Sequence, residues 1–188
     1  STTCPNTYRA AENICAMEKN ITKQGAYIGR PDAALLALYS SNDCRKTNYF
    51  KRESASKTIL IKGDGADYCC TFHSGEAYIT AAEAAARLGK KAEAVGYLRT
   101  LIAARYKPAG QAARIAEFEA LDGEPLTEEI LKERFMELAF EGHRWFDLRR
   151  TTMPAITKKY TYKQDKQDVT EDYTLSQGDA RYTMNFPA

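Results

Sequence analysis

Glu133, Glu137 and Glu141 recur every fourth residue, so on a helix their carboxylates share one face. Carboxyls one helical turn apart can reach the ~5–5.5 Å separation that a retaining glycosidase uses. Acid/base work needs one thing more. The surroundings must split the two pKa values, so that one carboxyl keeps its proton and the other does not. No separate feature of the sequence marks such a cleft around Glu137 and Glu141. Like charges at this spacing also repel by roughly 0.2–0.5 kcal/mol on an isolated helix. The ladder therefore predicts cationic partners elsewhere in the fold, and glycoside chemistry at this pair stands as the lesser reading.

The stretch Glu133–Arg150, ERFMELAFEGHRWFDLRR, also holds the only tryptophan and one of two histidines. Trp145 has the form of a sugar platform, yet its apolar neighbours at helical spacing favour a place in the core. Arg144, Asp147 and Arg149 read as ties between this helix and adjacent layers, since paired charges inside a fold are usually structural. His73 and His143 lie far apart in sequence without the spacing of a metal-binding pair. There is no Gly-rich phosphate loop and no G-x-S-x-G turn to expose a nucleophile. No catalytic residue, metal or cofactor is expected. The surface candidates are Tyr160, Tyr162 and Tyr173, set among Lys, Thr, Asp and Gln. A tyrosine offers a flat apolar face and a polar tip, which suits sugar rings and their hydroxyls. Packing of these rings as edge strands on the helices is the competing reading.

Composition sets the frame for these residues. The 188-residue chain is 44% hydrophobic and reads as a single domain over 1–188. A domain of this size buries roughly 70% of its unfolded surface. The net charge of +2, from 27 basic and 25 acidic residues, gives no electrostatic case for nucleic acid or an anionic membrane. No apolar run of about 18 residues is present to span a bilayer. Neither a signal peptide nor a lipid-attachment sequence is evident around Cys4. The five cysteines, Cys4, Cys15, Cys44, Cys69 and Cys70, are an odd number. They read as buried thiols, with one non-local disulfide as the alternative.

The elements follow from periodicity. Thr7–Asn20 has apolar residues at helical spacing, and a second helix opens near Pro31 with Ala34, Leu35, Leu38 and Tyr39 as its stripe. Thr58–Lys62 and Ala66–Phe72 flank Gly63-Asp64-Gly65 and read as a small hairpin. The clearest pattern is a helix pair over 75–106, with Ser74 as its cap and a break at Leu88-Gly89-Lys90. Ala112–Leu121 adds a short helix. Thr127 is placed to cap a long helix over 127–150. The remainder, 155–188, is a tyrosine-rich tail of loops and strands: Thr157–Lys163 and Arg181–Phe186 alternate, and Gln164–Asp172 reads as a solvated loop.

Several of these stretches together resemble the SusD/RagB-like nutrient-binding outer-membrane lipoproteins of Bacteroidetes, matching the C-terminal portion of such proteins. The residues are Asp43-Cys44-Arg45; Gly75-Glu76-Ala77-Tyr78-Ile79 with Ala82-Glu83-Ala84; the whole of Glu133–Arg150; and the closing Tyr182–Pro187. In the closing segment Asn185 and Phe186 replace the usual Pro and Ile, and two departures matter: His73 stands where the family usually has arginine, and the chain corresponds only to the C-terminal part of a typical member. The helix pair also resembles a tetratricopeptide unit, with Ala82, Gly89 and Ala94 at its small-residue positions. The resemblance implies a mainly α protein: a tetratricopeptide-like helical scaffold with short strands, hairpins and long irregular loops packed against it. It implies a non-enzymatic function at the outer cell surface, held by a lipid anchor not present in this chain. The expected ligand is an oligosaccharide or other nutrient, and the expected partner a SusC-like TonB-dependent transporter. A helical-repeat module that binds a protein partner is the main alternative. The resemblance carries over no binding residue, so Tyr160, Tyr162 and Tyr173 rest on their own chemistry.

Overall fold

The alanine-rich stretches at 74–87 and 91–105 form two of the longest helices. The computed structural model describes residues 10–18, 31–54, 57–62 and 68–183. Their elements run in the order β1 (Asn13–Glu18), α1 (Ala33–Leu38), α2 (Arg45–Asn48), β2 (Phe50–Ser54), β3 (Lys57–Leu60), β4 (Tyr68–His73), α3 (Ser74–Arg87), α4 (Lys91–Arg105), α5 (Pro108–Glu119), α6 (Gly123–Glu137), α7 (His143–Arg150), β5 (Ile156–Gln164), β6 (Gln167–Leu175) and a 3-10 turn, Ala180–Tyr182. The protein is mainly helical, with short antiparallel strand pairs β1–β4, β2–β3 and β5–β6. Two compact units divide the chain, residues 1–141 and 142–188.

In the first unit, α3 and α4 form the helix pair that periodicity predicts. Ala82, Ala94, Leu98 and Ile102 are fully buried between them and their neighbours. Small residues at Ala82, Ala85 and Ala86 let the two helices approach. Gly89 ends α3 with a left-handed φ of 71°, and Lys90 N–H donates to Ala85 O at 2.9 Å. Pro108 opens α5, where its missing N–H costs no helical bond. Phe118, Leu126 and Ile130 extend the same core. A second cluster gathers Leu35, Tyr39, Tyr49, Phe50, Met136 and Ala139.

Several local expectations are corrected. Residues 13–18 form a strand, not a helix, because 68–73 pairs with them in the register Asn13↔His73 to Glu18↔Tyr68. The expected hairpin between Thr58–Lys62 and Ala66–Phe72 does not form. Residues 57–60 instead fold back on 50–54, pairing Phe50 with Leu60. Gly63–Gly65 lie outside the described residues. The cap of α3 is His73, and Ser74 is its first helical residue. The cap of α6 is Asp122, whose carboxylate accepts from Gly123 N–H at 2.8 Å. Thr127 sits inside that helix, buried, with its hydroxyl donating back to Gly123 O.

The helix expected over 127–150 is two helices. α6 stops at Glu137; Phe140 takes a left-handed φ of 65° and Gly142 one of 84° before α7 begins. In the second unit the solvated loop expected over 164–172 is mostly strand. Asp165 and Lys166 turn the chain with φ of 50° and 68°, and 167–175 pairs fully with 156–164. Two successive positive φ values match the right-handed twist of a hairpin. The strand expected over 181–186 starts as the 3-10 turn, and 184–188 lie outside the described residues.

Candidate functional site

The glutamate ladder meets its cations in the interior of the first unit. Arg45, Arg105, Glu133 and Glu137 have no solvent exposure at all. Arg45 is gripped by Asp43 through contacts of 2.7–3.2 Å and donates to Glu137 at 3.0 Å and to Glu133. Arg105, in the last turn of α4, donates to both oxygens of Glu137 at 2.8–3.0 Å and to Glu12. Arg114, on α5, joins Glu133 to Glu129 with bonds of 2.8 and 2.9 Å. Lys62 donates to Glu137 O at 2.8 Å and pairs with Glu141. It reaches them because Ile61 and Lys62 N–H groups bond back to Tyr49 O.

This geometry removes the acid/base reading of Glu137 and Glu141. Burial opposes the charge on Glu137, but Arg105 and Arg45 outweigh it and hold the carboxyl far below the usual range. Burial likewise opposes the charge on Glu141, and Lys62 and His73 overcome it. Both carboxyls are thus pushed the same way, and neither is held as a proton donor. Glu137 is sealed from solvent besides. Its role is to neutralise two buried guanidiniums that tie α2, α4 and α6 together.

His73 is fully buried beside this cluster, with Nε2 3.4 Å from Glu141 and Nδ1 3.9 Å from Glu137. His143 lies in the second unit. Among the described residues no group of three or more metal-ligating side chains converges. Cys15 is exposed and Cys44 buried, neither in a disulfide. Cys4 lies outside the described residues.

Trp145 is not a core residue: it is partly buried, with one face stacked on the Tyr182 ring at 4.8 Å and 18°. Tyr182 is fully buried and its hydroxyl donates to Pro154 O. Asp147 is buried and holds Arg150 at 2.8–3.0 Å, while Arg144 and Arg149 are exposed.

The β5–β6 ribbon brings the three candidate tyrosines together. Its register pairs Lys158 with Tyr173, Tyr160 with Glu171 and Tyr162 with Val169. Alternation puts all six on one face. Tyr160 lies 5.9 Å from Tyr162 and 6.1 Å from Tyr173, ring centre to ring centre. Tyr162 and Tyr173 hydroxyls each donate to one oxygen of Glu171 at 2.9 Å. Those bonds push both phenols above their ordinary pKa. Tyr160 and Tyr173 remain 58% and 57% exposed, while Tyr162 is partly buried. The opposite face is polar, with Thr157–Thr174 and Thr161–Thr170 hydroxyl pairs. Glu171 escaped the sequence reading because it lay in the expected loop. The two-residue turn sets the register that brings it under the rings.

A family model described as the SusD family matches residues 64–187. The chain belongs to the SusD family. The matched span of this SusD-family chain includes α3 to α7 and the tyrosine ribbon, while Asp43, Arg45 and Lys62 precede it. No curated protein matches the chain. Among solved structures it is similar to a SusD-like carbohydrate binding protein from Bacteroides vulgatus ATCC 8482, at 20% identity and a TM-score of 0.49. That similarity covers 79% of this chain and 33% of the other, so the chain spans about a third of that protein's length.

Proposed function

We propose that this SusD-family chain captures an oligosaccharide nutrient without chemistry and is part of a protein that delivers it to a TonB-dependent outer-membrane transporter. The observation that carries the reading is the ring cluster of Tyr160, Tyr162 and Tyr173 around Glu171. Flat sugar faces stack on such rings, and a carboxylate with about four acceptor sites keeps capacity for sugar hydroxyls after two tyrosines have bonded to it. Membership of the SusD family supports the same ligand class. In this reading the buried charge cluster is scaffold, and the protein is not an enzyme. The α3–α4 pair is then one tetratricopeptide-like unit of the scaffold.

The proposed location is the outer face of the outer membrane, reached through a lipid anchor. No described helix is long and apolar enough to cross a membrane. The test is calorimetric titration of the chain with a panel of neutral oligosaccharides, repeated on a Tyr160→Ala/Tyr173→Ala double variant. Binding that the double variant loses while remaining folded supports the reading. Unchanged binding by the double variant refutes the ribbon as the site. Silence across the whole panel refutes oligosaccharide capture by this chain.

A further inference from the structure

A cavity of about 310 Å³ opens in the first unit between the end of α1 and helices α5 and α6. Its size is at the lower end of small-molecule sites and holds the volume of roughly ten waters. Tyr106 lines it and is 4% exposed, yet its hydroxyl has no hydrogen-bond partner among the described residues. The hydroxyl is not among the atoms sealed from water, so it is open to the solvent of the cavity. Asn42, half-buried, also lines the cavity. The charged groups here are Arg114 and Lys132 against Glu117 and Glu129. They are already paired, at 2.6 Å for Arg114–Glu117, 2.9 Å for Arg114–Glu129 and 2.8 Å for Lys132–Glu129.

We propose that this cavity is a second binding site, for a single neutral sugar residue or similar small polyol. The lining has two cations and two anions, so its formal charge is zero. The balanced lining offers no net attraction to a charged ligand. A hydroxyl is both donor and acceptor, and can therefore satisfy Tyr106, Asn42 and the outer lone pairs of the carboxylates at once. Leu38 and Met136 supply apolar surface for the C–H face of a sugar ring.

The walls are set before any ligand arrives. Gly110 lets α5 approach so closely that a Cβ there would overlap Asn42. Lys107 N–H donates to Asn42 O at 2.9 Å, and Asp43 forms a β-bridge with Tyr106. Burial raises the Tyr106 pKa, so the hydroxyl stays protonated and able to donate. The site stands independently of the ribbon.

The test is NMR titration of the whole chain with free glucose, galactose, mannose and N-acetylglucosamine, with glucuronate and glucosamine as charged comparators. At least one neutral sugar should shift resonances at the cavity, and the charged comparators should bind more weakly. Tyr106→Phe keeps the ring and removes only the unused hydroxyl. It should weaken binding roughly tenfold, the worth of one hydrogen bond, with no loss of melting temperature. Ala113 is an exposed lining residue, and Ala113→Leu should fill the cavity and abolish binding without touching the core. The Tyr160→Ala/Tyr173→Ala variant should bind the single sugar as the parent does, which separates this site from the ribbon. No response to any neutral sugar overturns the proposal. So does undiminished affinity in Ala113→Leu, or loss of single-sugar binding in the ribbon variant.

Discussion

Gly75 and Glu137 occupy adjoining space only because Gly75 has no side chain. A Cβ at position 75 would overlap Glu137 Oε1, and His73 would crowd it from the other side. The first turn of α3 thereby closes over the carboxylate that neutralises Arg45 and Arg105. The glycine in the GEAY stretch is thus explained by packing against a residue 62 positions later in the chain (137 minus 75).

Gly75→Ala should destabilise the protein by about 1–3 kcal/mol, as small-to-large changes in closely packed sites do. Gly96 gives the contrast, being an exposed helical glycine on α4 with open space around its Cα. Gly96→Ala should be neutral or stabilise by up to about 1 kcal/mol through helix propensity. Urea unfolding of the two variants tests both signs. Equal behaviour would contradict the packing at Gly75.

Removal of Glu137 leaves two guanidiniums in the interior without their shared partner. Glu137→Ala should cost about 3–5 kcal/mol, the usual loss when one partner of a buried pair is deleted. Acid should act on the same residue. The Glu137 carboxyl is depressed below its ordinary value of 4.5, so its contribution to stability is fully present above that pH. The contribution declines as pH falls below it. Thermal melts from neutral to acid pH should therefore show a steeper acid loss in the parent than in Glu137→Gln.

Trp145 reports on the second unit by itself, since it is the only tryptophan. Stacked on Tyr182 but partly exposed, it should lose about 2 kcal/mol in Trp145→Ala, less than the full cost of emptying a core site. Tyr182→Ala should red-shift the emission of Trp145 by exposing its covered face to water. An unchanged spectrum would contradict the stack.

Glu171 ties two tyrosine hydroxyls on the ribbon, and its carboxylate makes both phenols harder to ionise. Ultraviolet titration of phenolate should find Tyr162 and Tyr173 ionising above ordinary tyrosine. Glu171→Gln should lower both. The same variant should weaken oligosaccharide binding while leaving the rings in place. A titration curve that Glu171→Gln does not move would dissolve the tether.

The α3–α4 pair could be read from the sequence because its information is local: alanine-rich 3.6-residue periodicity, a glycine stop and a proline restart. The need for cations beside the glutamate ladder was legible for a similar reason, as repulsion along one helix face is a near-neighbour effect. Their identities were not. Arg45, Arg105, Arg114 and Lys62 come from separate elements, and only packing brings them to Glu133, Glu137 and Glu141. Residues 13–18 show the same limit from the opposite side. Their apolar spacing suits a helix, but 68–73 supplies a partner strand, and strand pairing depends on a distant segment that periodicity cannot see.

The ribbon divides between the two levels. Alternation marked Thr157–Lys163 as a strand, and tyrosine chemistry marked Tyr160, Tyr162 and Tyr173 as candidates. Their meeting around Glu171 required the two-residue turn at Asp165-Lys166, which fixes the register to the residue. The sequence by itself determined the family, the helix pair and the residue types available for recognition. Tertiary structure alone decided which charges are buried as scaffold and which rings face outward. Burial and partnering are properties of the space between segments, not of any one segment.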